Sequence, residues 1–106
     1  MELKKWYTLV VCKDMKDCRR NLDNMVESIR GMPKVKVAKQ ALWVEYVDDI
    51  GGEDILAHVS FISRNSIEQV RGKLCHEYYW VCDMSTKSEF IQQLIFAKRR
   101  TLATRQ

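Results

Sequence analysis

Hydrophobic positions along this chain change period several times, and each change marks an element. "KKWYTLVVCK" is a nearly continuous apolar run, rich in aromatic and β-branched residues. It predicts a strand over about Trp6 to Cys12, covered on both faces. Asp14 then stands where a helix N-cap belongs. Met15, Cys18, Leu22, Met25, Val26 and Ile29 follow at three- and four-residue steps, with Lys16, Arg19, Arg20, Asp23 and Glu27 on the opposite face. That is one apolar stripe of an amphipathic helix, stopped by Gly31 and Pro33. In "KVKVAKQALWVEYV" the alternation is of period two, which predicts a strand ending at Val47 and interrupted near Gln40. "DDIGGED" is a turn, because Gly51-Gly52 supplies the positive φ that a tight hairpin needs. "ILAHVSFIS" returns as the partner strand.

Ser66 followed by Gln69 matches a capping box, and Ile67, Val70 and Leu74 make a short stripe weakened by Gly72. "YYWVC" predicts the next strand. Thr86 and Glu89 form a second capping box, and Phe90, Ile91, Leu94 and Ile95 line a last helix. The predicted order is β-α-β-β-α-β-α in a single α/β domain over residues 1–106, with a mixed sheet flanked by helices. The same order admits an α+β ferredoxin-like sandwich, whose sheet is antiparallel and whose first and last strands are antiparallel neighbours.

Composition narrows the class. With 46% hydrophobic and 30% charged residues the chain is globular rather than disordered. No apolar run approaches the roughly 20 residues of a membrane span. The N-terminus lacks the layout of a signal peptide, so the expected location is the cytoplasm. Reduced thiols are then expected at Cys12, Cys18, Cys75 and Cys82. Five and six residues separate the members of each cysteine pair, wider than zinc knuckles use. The cysteines read as small buried hydrophobes, and no metal is expected.

Charge is unevenly placed. Lys98, Arg99, Arg100 and Arg105, in a stretch from 98 to 106 without an acid, account for the whole net charge of +4. This basic C-terminal tail could neutralise phosphates, or simply suit the end of a helix dipole. Trp6, Tyr7, Trp43, Tyr78, Tyr79 and Trp80 are enough aromatics for a sheet face that stacks bases, although core packing can use them too. His58 reads as a sheet-face residue rather than a general base. Adjacent Cys75 and His76 carry no spacing that implies a nucleophile and its base. The acids Asp48, Asp49, Glu53 and Asp54 lack the ligand spacing of a calcium loop and read as a solvated hairpin tip.

The stretch Ala57 to Asp83 resembles the segment that leads into the Walker B strand of phage terminases and related helicase-like ATPases. In that family a strand is followed by a polar Ser…Arg-Gly segment and an apolar strand ending in Asp-Glu. Here Ser66, Arg71, Gly72, the run Tyr78–Cys82 and Asp83 take those places, and "LVVCKDMKDCRRNL" resembles the preceding strand and helix. The resemblance implies a magnesium-holding role for Asp83 and an origin in a phage or mobile element. The chain departs from the family at two points: Gly31, Gly51, Gly52 and Gly72 form no phosphate-cradling loop, and Met84 replaces the catalytic Glu. Arg71, Gly72 and Asp83 are therefore expected to be a vestigial motif. The sequence predicts a small intracellular binding or regulatory protein without catalytic residues or cofactor. Its expected partner is a nucleic acid, a protein that processes one, or a second copy of the chain. The competing reading is a nucleotide-binding or hydrolysing protein that uses Asp83.

Overall fold

The computed structural model describes residues 3–70, 73–82, 95, 97–99 and 101. β1 (Lys4–Cys12) leads into α1 (Met15–Ser28), followed by the strands β2 (Lys36–Ala38), β3 (Trp43–Ile50) and β4 (Glu53–Ser63). A 3₁₀ turn at Ile67–Gln69 precedes β5 (Glu77–Trp80). Ile95, Ala97 to Arg99 and Thr101 are helical. The strands form one mixed sheet in the order β2-β3-β4-β1-β5. β1 lies parallel to both of its neighbours, Leu9 facing Ser60 of β4 and Tyr78 of β5. β3 runs antiparallel to β2 and to β4.

The fold is α/β with a mixed sheet. The ferredoxin-like alternative does not hold, because β1 and β5 are parallel neighbours. The helix expected from Ser66 is also corrected to the 3₁₀ turn. There the Ser66 and Gln69 amides donate to Ser63 O and Ser66 O, each three residues back. The Gln69 side chain reaches the Ser63 amide at 2.8 Å. Three apolar positions with a glycine nearby do not carry a helix past the costly nucleus. The capping box at Thr86 and Glu89 lies outside the described residues.

α1 forms where its stripe predicts. Asp14 caps it by accepting from the Asp17 amide at 2.8 Å. Gly31, at φ +92°, takes the left-handed turn that ends the segment. Cys18, Leu22 and Ile29 pack on Cys12, Leu42, Val44, Val59 and Phe61, on one face of the sheet. Met15, the first residue of the predicted stripe, is exposed instead. The interruption near Gln40 is a turn closed by Leu42 at φ +60°. A β-region backbone would be easier for leucine, but its side chain is buried in the core.

The opposite face has its own apolar cluster, in which Val70, Cys75 and Ala97 pack with Leu9, Val11 and Ile62. The chain thus leaves β1 over one face through α1 and leaves β4 over the other. No helix among the described residues is long and apolar enough to cross a membrane.

Leu22 is 1% exposed between α1 and the sheet, whereas Val37 on edge strand β2 is 38% exposed. Leu22→Ala is expected to cost about 2–5 kcal/mol and Val37→Ala less than about 0.5 kcal/mol in urea unfolding. Equal costs would contradict the assigned core.

Candidate functional site

Strand alternation sorts the polar and aromatic side chains of β1 onto two faces. Lys5 and Tyr7 share the face of Leu9 and Val11, whereas Trp6 and Thr8 share the face that α1 covers. Each set meets a carboxylate.

On the face away from α1, β4 brings His58 beside Tyr7, and β3 brings Glu45 beside His58. His58 Nδ1 lies 2.6 Å from Glu45 Oε2, and the Lys5 ammonium lies 3.1 Å from the same oxygen. Burial alone would raise the Glu45 carboxyl, but the hydrogen bonds from His58 and Lys5 outweigh it and hold the group below its ordinary range. An ionised carboxylate only accepts, so the His58 hydrogen sits on Nδ1. His58 is flanked by two rings, Tyr7 at 5.4 Å and Trp43 at 4.9 Å between centroids. The Lys5 ammonium lies 5.6 Å from the Tyr7 ring centre, within cation–π range.

On the other face, Glu77 Oε1 accepts from Trp6 Nε1 at 3.0 Å and from Thr8 Oγ1 at 3.1 Å. Glu77 Oε2 accepts from the exposed Tyr79 hydroxyl at 2.9 Å. His76 joins the faces at the strand margin. Its amide donates to Tyr7 O at 2.8 Å and its Nδ1 accepts from the Tyr7 amide at 2.9 Å. Its ring stacks on Trp6 at 4.5 Å. The acceptor role puts its hydrogen on Nε2.

The carboxyl ends of β1, β4 and β5 lie at one end of the sheet, where connections diverge to opposite faces and open α/β sheets usually bind ligands. At this end of β1 the chain bonds to itself. The Lys13 amide donates to Asp17 Oδ2 at 3.1 Å, and the Asn65 side chain donates to Lys13 O at 3.2 Å. Asp17 is also paired with Arg20. The Lys13 amide, just before α1, and the Asp17 amide, in its first turn, thus face carboxylates, where a phosphate loop would leave such amides open.

The predicted site residues fall unevenly. Lys98 and Arg99 are exposed on the last helical segment, with the Lys98 ammonium 5.8 Å from the Tyr78 ring centre. Arg71, Gly72, Asp83, Arg100 and Arg105 lie outside the described residues. Glu45, His76 and Glu77 are the members of this arrangement that sequence reasoning missed. One of their pairings was nonetheless readable. A two-residue turn at Gly51-Gly52 sets Ile50 opposite Glu53, and counting back along both strands sets Glu45 opposite His58. Nothing in the spacing brings Trp6 to Glu77. None of the four cysteines forms a disulfide among the described residues, and Cys12, Cys18 and Cys75 are buried.

The chain matches no protein-family model, no curated protein and no solved structure. The site must therefore be read from its own residues.

Because Glu45 releases its proton more readily when folded, its contribution is complete above the unfolded value of about 4.3. It is lost as the pH falls through the lower folded value. Lys5 behaves oppositely: bonding to Glu45 raises it, so its contribution is complete below its ordinary 10.5 and fades as the pH rises through the folded value. Its side chain is 40% exposed, which keeps that share small. Glu45→Gln is expected to lower the urea midpoint at pH 7 and to flatten its decline between about pH 5 and pH 3. Parallel declines in parent and variant would remove Glu45 from the acid response.

Proposed function

We propose that the chain is a small non-enzymatic binding protein whose partner is a nucleic acid. The observation that carries this reading is the seating of Lys98 and Arg99. Their neighbours Ala97 and Thr101 are buried. The Thr101 hydroxyl accepts from the Cys75 amide at 2.6 Å and donates to Ala97 O at 2.8 Å. The two cations are thus presented from a helical segment locked to the sheet, on the side where Tyr78 lies. Fixed cations bind a polyphosphate with less ordering cost than cations on a solvated tail. Binding to a protein that processes nucleic acid would use the same surface, and direct titration with oligonucleotides separates the two.

Charge reversal tests the reading better than truncation, because removing residues 98 to 106 would also remove the Thr101 bond to Cys75. Lys98→Glu with Arg99→Glu is expected to weaken oligonucleotide binding. It should also reduce the slope of log K against log salt by about 1.4 to 1.8, since each phosphate contact contributes about 0.7–0.9. An unchanged slope would exclude both residues from the interface.

Catalysis at Asp83 is not part of this function. Phosphoryl transfer depends on cradling and neutralising the phosphates, and the amides of Lys13 and Asp17, on either side of the start of α1, already face the carboxylates of Asp17 and Asp14. The purified protein is expected to hydrolyse no ATP or GTP above a blank, and Asp83→Asn is expected to leave oligonucleotide affinity unchanged. Hydrolysis that is lost in Asp83→Asn would restore the nucleotide-using alternative.

A further inference from the structure

We propose that the half of the sheet face bearing Tyr7, His58 and Trp43 is a stacking platform for the bases of a single-stranded nucleic acid, an inference that rests on the nucleic-acid reading above. These three side chains are half-buried and belong to neither apolar cluster. The described residues that cover this side, Val70, Cys75 and Ala97, sit with Leu9, Val11 and Ile62 instead. The rings form one connected set, His58 lying between Tyr7 and Trp43 at 5.4 and 4.9 Å. With Tyr78 they extend from β3 across β4 and β1 to β5, about 14 Å at the usual strand spacing, which is room for a few bases.

Charge selects the occupant. Lys36 faces Glu45 across the β2–β3 pair and lies on this side of the sheet. Lys98 stands over Tyr78 at the other end. The acid within the platform, Glu45, is matched by Lys5. Among the described strand residues, the other acids of this face, Asp49 and Asp54, lie at the hairpin tip. Asp49 is four residues along β3 from Glu45, about 13 Å away at the strand rise. The platform is therefore aromatic in the middle and cationic at both margins, which suits a chain of bases joined by phosphates. A duplex buries its base faces in its own stack, so it can use the marginal cations but not the rings. Glu45 contributes by fixing the His58 ring through Nδ1, which leaves Nε2 as the polar atom between two stacking surfaces.

The test compares a labelled 12-nucleotide single strand with a duplex of the same length, by fluorescence anisotropy at low salt. The panel is the parent, Trp43→Leu, Trp43→Phe, Tyr7→Leu, and Tyr79→Leu as a control from the other face. Thermal unfolding of every variant reports whether it is folded. Single-strand affinity is expected to fall about 5- to 100-fold in Trp43→Leu and Tyr7→Leu, as for loss of one stacked base. It should be largely kept in Trp43→Phe, which retains a ring even if the leucine variant does not fold, and in Tyr79→Leu. Duplex affinity should not change in any of them. Equal single-strand affinity across the folded variants, with binding still lost on reversing Lys98 and Arg99, would overturn the platform and leave the nucleic-acid reading standing. Absence of binding to either oligonucleotide by the parent would overturn both.

Discussion

A parallel strand pair cannot be closed by a tight turn, so a strand with parallel neighbours on both sides obliges the chain to travel twice across the sheet. β1 is such a strand. One journey, through α1 and the β2–β3 strands, covers the first face and returns as β4. The other, from β4 past Val70 to β5, covers part of the second face and ends on the far side of β1. Everything else about the site depends on this placement. It sets Tyr7 beside His58, brings His76 and Glu77 to β1, and sends the odd- and even-numbered residues of β1 to different environments.

The two faces use their carboxylates differently. Glu77 gathers neutral donors from Trp6, Thr8 and Tyr79, so it ties β5 to β1 by ordinary side-chain bonds. Glu45 is buried and charged, a costly condition unless it is paired and hydrogen-bonded. Lys5 and His58 meet that condition on one oxygen. The result is a rigid setting for an imidazole on a sheet face, an expensive arrangement where a valine would pack more simply. Such local conflict with the fold's own economy is where function is to be sought.

Much of the fold was legible because its strongest signals are local. The stripe from Cys18 to Ile29, the cap at Asp14 and the turn at Gly51-Gly52 each depend on residues within a few positions of one another. The direction of β5 was not legible, since "YYWVC" reads the same in either direction and only the crossover from β4 decides it. The segment from Ser66 misled because Ser-x-x-Gln is a cap only if a helix follows, and here Gln69 turns back to the Ser63 amide. Within the site, His58 was rightly placed on a sheet face. Glu45 carried no signal of its own within the alternating strand, yet it is 7% exposed. Alternation assigns a residue to a face but cannot tell whether that face is open. Lys98 and Arg99 were singled out by charge alone, whereas the burial of Thr101 beside them comes from tertiary packing.

The whole arrangement stands on the parallel register of β1, because a slip of one residue would exchange the two faces and separate Tyr7 from His58. Interstrand nuclear Overhauser contacts measure that register directly. Parallel-type backbone contacts are expected, placing Leu9 opposite Ser60 on one side and Tyr78 on the other. Antiparallel contacts between β1 and β5, or a register shifted by one residue on either side, would contradict the arrangement.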